Sequence, residues 1–552
     1  MNAHTPVLIV GAGPVGLALA GDLGWRGIPC LLVEKSGGAI QQPRMDLVGI
    51  RTMEFCRRWG IADWVRDAPY PNDYPQDCVY VTGLNRYELG REPLPARADE
   101  RPPPQSPQTR ERVPQDLFDP ILKRFAASFA HVTLRYRTEL LGYEQTAQGV
   151  RASLRDGVSG APEVVTADFL VGADGASSTV REIAGIGMSG NPALTYTTNV
   201  VFRCADFASL HDKGKAYRFI FIGPEGTWLT IVAINGRDRF RMSIVGSPEK
   251  VTHSEADIDA ALRRAVGRDF DYEIESVLRW VRRELVADSY GRGRVFIAGD
   301  AAHLMSPTGG LGMNTGIGDA VDLGWKLEAV LRGWGGEHLL RSYEAERRPV
   351  ALRNVNVSSQ NLARMLATRS RLPPPELFDD SPRGEAVRRE YGAWFTETMR
   401  HEWFMNGVHL GYRYDESSIV WPDGTPAPAP ESMTYRQTAR PGARAPHVWL
   451  PDGRSTLDLF GRGFVLLRLG KNAPAGDALR AAAEQRNVPL EVVTLNDPQV
   501  IAAYDKRLVL VRPDGHVAWR SDTEPANADA IIDVIRGGHA LADVTPELES
   551  TS

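Results

Sequence analysis

The run Val7-Leu8-Ile9-Val10 passes without a break into Gly11-Ala12-Gly13-Pro14-Val15-Gly16, and no other stretch restricts the fold of this chain as strongly. The apolar, β-branched run predicts a buried strand, and Leu17, Leu19, Ala20 and Leu23 then recur at helical spacing. Glycines without Cβ atoms let backbone N–H groups and the positive end of the helix approach a pyrophosphate closely. A second strand is expected over Gly27–Val33, ending at Glu34, 18 positions beyond Gly16. An acid there accepts hydrogen bonds from a ribose 2′-OH. A lone GxGxxG is often only a tight turn, but strand, turn, helix, strand and acid in that order point to a dinucleotide.

A chain of 552 residues exceeds one hydrophobic core and implies two or three domains. Net charge is −5, so there is no basic excess for nucleic acid. The apolar stretch from Pro6 to Leu23 is interrupted by four glycines and Asp22, which argues against a membrane span; with no cationic segment before it, the expectation is a cytoplasmic chain without a signal peptide. Cys30, Cys56, Cys78 and Cys204 form no CxxC pair and have no zinc-type spacing, so neither disulfides nor a structural metal are expected.

Two later segments repeat the strand-acid-glycine pattern. Asp168-Phe-Leu-Val-Gly-Ala-Asp174-Gly175 leads into a helix start that Ser177 or Ser178 caps. Arg294-Val-Phe-Ile-Ala-Gly299-Asp300-Ala-Ala-His303 is followed by Ser306-Pro307-Thr-Gly309-Gly310-Leu-Gly312-Met313-Asn314 and a helix carrying Ala320, Leu323, Trp325 and Leu327. A second acid at a strand end suits the ribityl hydroxyls of a flavin. GAGPVG, GADGASSTVR and AGDAAHLMSPTGGLGMNTGIGDA, in this order and spacing, resemble the class A flavoprotein monooxygenases related to p-hydroxybenzoate and phenol hydroxylases; the match runs over about residues 6 to 350.

The resemblance implies bound FAD and transient reduction by NADPH or NADH, which fits the absence of a second GxGxxG after a strand. It then implies reaction with O2 to a C4a-hydroperoxide that hydroxylates a small aromatic substrate. It assigns Gly11, Gly13, Pro14, Val15 and Gly16 to the adenosine pyrophosphate and Glu34, with Lys35 beside it, to the ribose. Arg44, Gln115 and Leu140 become further FAD contacts. Asp174 is shared between FAD and the nicotinamide cofactor, and Asp300 goes to the ribityl and pyrophosphate region. Pro307, Gly310, Gly312, Met313 and Asn314 lie beside the flavin ring. Taken singly, Arg44 is equally readable as a surface ion pair and Gln115 as a loop hydrogen bond.

The implied fold is α/β: a discontinuous Rossmann-like FAD domain (1–75, 106–188 and 282–360) and an antiparallel-sheet substrate domain (76–105 and 189–281). A helical segment and linker (361–435) and a thioredoxin-like domain without CxxC (436–545) complete it. The last unit is expected to hold strands at 463–469, 490–495, 507–512 and 516–520 and helices at 477–485 and 526–536. Its assigned use is structural, at a subunit interface of a homodimer or other homo-oligomer.

For chemistry, the loop before the helix at Leu311 turns amides and a dipole toward developing negative charge on a flavin. A phenol ionises near ~10, so a base is useful at neutral pH. Asp46 precedes Arg51 by five positions, as the active-site aspartate of phenol hydroxylases precedes its arginine; it reads equally as the N-cap of a helix over 47–59. His303 reaches flavin or substrate, or packs in its loop. Tyr217, Phe219 and Phe221 share one parity of an expected strand and either roof an apolar substrate or are core. Two rivals sharing the FAD motifs are a reductase that inserts no oxygen and a non-catalytic flavin-binding sensor. A third, the flavin halogenase, characteristically carries W-x-W-x-I-P, and none of the 12 tryptophans has another two positions away.

Overall fold

The computed structural model describes residues 3–40 and 45–539. Strand Ala3–Val10 sits at the centre of a mainly parallel sheet. Val10 pairs with Gly172 of strand Pro162–Gly172 on one side and with Val33 of Cys30–Glu34 on the other. Val295–Ile297 and Val132–Tyr136 extend it outward in parallel. Helix Pro14–Trp25 packs between helices Leu311–Leu331 and Gln115–Ala127 and is buried over nearly its whole length. Its glycines explain the close packing: a Cβ on Gly21 would lie 2.4 Å from the Phe125 ring, and one on Gly24 2.5 Å from the Phe129 ring. Parallel strands covered on both faces need continuous apolar runs, which is why Val7, Leu8 and Ile9 are all fully buried.

A second, eight-stranded sheet is mostly antiparallel. Its long strands Met188–Arg203 and Glu273–Ala287 pair along most of their length, and Arg239–Ser247, Gly226–Ala233 and Arg218–Gly223 continue it. Two opposite cores follow from the period of two. Phe219 and Phe221 point into one, with Ile258 and Leu262 of helix Glu255–Val266. Ile220 and Ile222 point into the other, with Tyr80, Leu362 and Phe395. The shared-parity expectation for the three aromatics therefore fails: Tyr217 precedes the strand and joins a different cluster, while Phe219 and Phe221 are core, the second of the two readings open in the sequence.

The C-terminal unit has the strand order 490–495, 464–469, 508–511, 517–521, with the first pair parallel and the others antiparallel. Helices Asp477–Gln485 and Ala528–Ile535 lie where the sequence places them, and Pro498–Tyr504 adds a third helix. This unit buries Phe464, Leu510 and Ile532 against Trp325 and Trp334 of the first one.

Candidate active site

The dinucleotide turn has the geometry its glycines require. Gly11 has φ +105°, and a Cβ there would stand 2.4 Å from the Ala173 carbonyl oxygen; one on Gly16 would stand 2.0 Å from the Gly11 oxygen. Gly13 caps the helix and faces open space, with no atom within 4 Å of a built Cβ, and Pro14 and Val15 form the first helical turn. Glu34 ends its strand half-buried. Burial alone would raise its pKa, but the N–H groups of Ala12 (2.9 Å) and Ser36 (2.8 Å) hold it below the usual range and ionised. Lys35 is exposed beside it. This cradle fits an adenosine diphosphate: N–H donors and a helix start for the pyrophosphate, and an ionised carboxylate for the ribose.

At the other strand ends, Asp300 stands exposed in the turn Gly299–Ala301. Asp174 turns inward, accepting from Ser178 Oγ and Val180 N at the start of the next helix; burial raises its pKa. Gln115 opens helix Gln115–Ala127 and donates to Asp119 (3.1 Å), whose carboxyl is pushed by burial up to about 7. Leu140 is a strand residue of the main core. Arg44 lies outside the described residues.

The loop before helix Leu311–Leu331 contains two left-handed glycines, Gly309 (φ +90°) and Gly310 (φ +65°), and a Cβ on Gly310 would meet Leu47 at 3.0 Å. Asn314 clamps this loop to the segment that carries Asp46. Its Nδ2 donates to the carbonyls of Gly310 (2.7 Å) and Leu47 (3.0 Å), and its Oδ1 accepts from Gly49 N and Thr52 Oγ1. Gly312 and Met313 are half-buried on the first turn, and Pro307 is exposed. His303 is fully buried, and its Nε2 lies 2.7 Å from Asp319 Oδ2. That pairing packs the ring against helix Leu311–Leu331, as the packed alternative expects.

Asp46 does not cap a helix. Leu47 and Val48 form a short strand with Glu111 and Arg112, and the helix begins only at Ile50 with Gly49 as its cap. The Asp46 carboxylate instead faces the second sheet, where it accepts a 2.6 Å hydrogen bond from the Tyr217 hydroxyl and lies 3.4 Å from Arg112. The Arg112 guanidinium also stacks on the Tyr217 ring, 3.4 Å from its centroid. Burial, with Asp46 adding to it and Arg112 opposing, raises the Tyr217 pKa far above the phenol value, so Tyr217 is a protonated donor.

Further along the same face, three more arginines gather. Arg218 pairs with Glu402 at 2.9 Å, and Glu402 also accepts from Gly309 N. Arg241 lies near enough to Tyr217 and Arg282 to influence both. Arg282 is buried, with hydrogen bonds to Thr197 Oγ1 (3.2 Å) and Ser306 Oγ (3.1 Å) and no carboxylate within ion-pair distance among the described residues; burial, then Arg218, with Glu402 opposing from further off, lowers its pKa to about 10. Sequence reasoning missed Arg112, Arg218, Arg241, Arg282 and Glu402. A charged residue at an inward position of an apolar strand was the available signal for the arginines; Glu402, at the end of a helix far along the chain, offered none.

The matches to known families cover the parts just described. An FAD binding domain family matches residues 4–358, and the C-terminal domain of aromatic-ring hydroxylases matches 438–537. The FAD-dependent monooxygenase apdD of Emericella nidulans is 34% identical, over 95% of this chain and 88% of its own. RebC, soaked with chromopyrrolic acid and holding 7-carboxy-K252c, superposes with TM-score 0.91 and 41% identity, over 98% of this chain and 100% of its own. The flavin-dependent monooxygenase PieE, in complex with FAD and substrate, gives TM-score 0.85 and 30% identity over 97% and 99%. The fold and site thus define a flavoprotein of the aromatic monooxygenase class. The chain belongs to the FAD-dependent aromatic-ring hydroxylases.

Proposed function

We propose that this enzyme hydroxylates a polycyclic or substituted phenol that carries a further anionic group, a carboxylate or a second ionised hydroxyl, with NADPH or NADH as electron donor. The observation that carries the reading is the charge at the site: Arg112 and Arg218 stand beside Asp46 and Glu402, while Arg282 is buried with no carboxylate within ion-pair distance among the described residues, Glu402 acting on it only from further off. A buried guanidinium with no adjoining carboxylate is costly until an anion arrives, so an anionic substrate gains what a neutral one forfeits. The 7-carboxy-K252c bound in RebC is by its name a carboxylated compound.

Bound FAD supplies the redox chemistry, accepting reducing equivalents from the nicotinamide and activating O2 for insertion. The protein's own groups do the rest. Gly11, Gly13, Gly16 and Glu34 hold the adenosine end, and the Gly309–Gly312 loop presents amides to the ring. Asp46 and Tyr217 handle the substrate hydroxyl: its proton passes to the Tyr217 oxygen as the Tyr217 proton passes to Asp46, leaving a ring activated for attack. Pro307 borders the substrate from the loop side. The four units proposed from the sequence serve this division of labour, with substrate held between the first two.

The test is stopped-flow reduction of the FAD-loaded enzyme by NADPH and by NADH with paired aromatic ligands, each phenol tested with and without a ring carboxylate, followed by oxygenated buffer and product analysis. Hydroxylated product favouring the carboxylated member of each pair is expected. Equal use of both members refutes the anionic-substrate assignment, and reduction without oxygenated product across the panel points to a reductase.

A further inference from the structure

With no cysteine beyond residue 204, the C-terminal unit cannot carry out the thiol chemistry its fold is otherwise suited to. Its contacts give it another use. The turn Arg512-Pro513-Asp514-Gly515-His516, between strands Leu508–Val511 and Val517–Ser521, is buried in the first unit, with Arg512, Asp514 and His516 at most 2% exposed. It reaches the flavin site along two separate routes.

The first route runs through helix Ile50–Arg58. The Asp514 carbonyl accepts from Arg51 Nη2 at 3.0 Å and from Arg58 Nη2 at 3.2 Å. Asn314 ties the cap of that helix, Gly49, and Thr52 of its first turn to the glycine loop, and the helix directly follows the segment that carries Asp46. The second route runs through the helices Leu311–Leu331 and Ser342–Met365. Arg512 grips both oxygens of Glu346 (2.5 and 2.8 Å), which also takes Lys326 at 2.6 Å. The next residue, Arg347, donates to Asp319 (2.8 Å) and to the Tyr414 hydroxyl (3.2 Å), and the Tyr414 ring lies 4.3 Å from that of His516. Asp319 in turn accepts from His303 (2.7 Å) and from the N–H of Gly299 (3.2 Å), so it fixes the turn from which Asp300 projects.

Three carboxylates of this cluster, Asp322, Glu346 and Asp514, are close enough together to hold a metal ion. Lys326 and Arg512 already stand among them and supply the positive charge, so the cluster is an ion network. Such a network fixes registry because moving any member strands a charge in a low dielectric.

We propose that the Arg512–His516 turn is a positioning element of the flavin site, setting both the Asp46 segment and the Gly299–His303 turn, with Asp319 as the last link. The C-terminal unit is then part of the cofactor machinery. Asp514→Asn and Asp319→Asn should each raise the FAD dissociation constant of the apoprotein by about tenfold or more, since displaced supporting groups loosen what they position. If the loss falls tenfold more heavily on one redox state, the two-electron midpoint potential moves by about 30 mV. Because both act on one network, the double variant should lose clearly less than the product of the single losses.

Asp533→Asn is the control. Its partners, Arg486 and Arg536, share no ion pair with the turn among the described residues, so it should lower the melting temperature and leave FAD affinity and potential unchanged. Arg51→Lys, which keeps the charge and loses the bond to the Asp514 carbonyl, tests the first route if Asp514→Asn does not fold. FAD affinity within twofold of the parent and an unmoved potential in Asp514→Asn, or in Arg51→Lys where that variant stands in for it, would overturn the proposal even if stability falls.

Discussion

Glu54 offers the sharpest quantitative test of how the units are joined. It is 4% exposed at its side chain and accepts from both Nε and Nη2 of Arg444, from Arg51 (2.8 Å) and from Ser106 (2.6 Å). Burial would raise its pKa, but the two guanidiniums overcome this and bring it from 4.5 to about 2. That depression corresponds to about 3 kcal/mol of folding stability. Removing one member of a buried ion cluster costs a similar amount, about 3–5 kcal/mol, because Arg51 and Arg444 would be left uncompensated.

The sign follows from the depressed carboxylate: its contribution is complete above the unfolded value near 4.5 and disappears as pH falls toward 2. Glu54→Gln should therefore be destabilised by about 3 kcal/mol, by the same amount at every pH from about 5.5 to 8, with the gap closing only below about 4.5. Urea unfolding followed by far-UV circular dichroism, with refolding checked from the unfolded side, measures the difference. A loss under about 0.5 kcal/mol, the range of an ordinary surface change, or a gap that varies across the neutral range, would refute the ion-cluster account.

Three further outcomes are expected. Asp46→Asn should keep FAD binding while lowering kcat by about 10²- to 10⁴-fold with a phenol substrate, and an unchanged kcat would remove Asp46 as the proton acceptor. Gly16→Ala should abolish FAD retention on gel filtration, since its Cβ would stand 2.0 Å from the Gly11 oxygen; a yellow, FAD-loaded variant would contradict this. All four cysteines are buried, and burial pushes Cys30, Cys56 and Cys78 up to about 12, so the native enzyme should not react with a thiol reagent at pH 8. Stoichiometric labelling without unfolding would be the contrary result.

The sequence alone determined what depends on local backbone demands. The Gly11–Gly16 turn, Glu34 at a strand end and the Gly309–Gly312 loop each need particular residues at fixed spacing, so cofactor class and main sheet were legible before any contact was known. The C-terminal strands were legible for the same reason, being short apolar runs bounded by turn residues. Tertiary structure decided the substrate end. Asp46 lies next to a helix start in sequence and read equally as a base or a cap, but pairing of Leu47 and Val48 with Glu111 and Arg112 pulls it off the helix and toward Tyr217, 171 positions away. The parity argument for Tyr217, Phe219 and Phe221 failed because the strand begins at Arg218, leaving Tyr217 free to turn. Arg112, Arg218, Arg241, Arg282 and Glu402 come from five separate stretches of chain, and local periodicity carries no record of which long-range neighbours a fold will bring face to face.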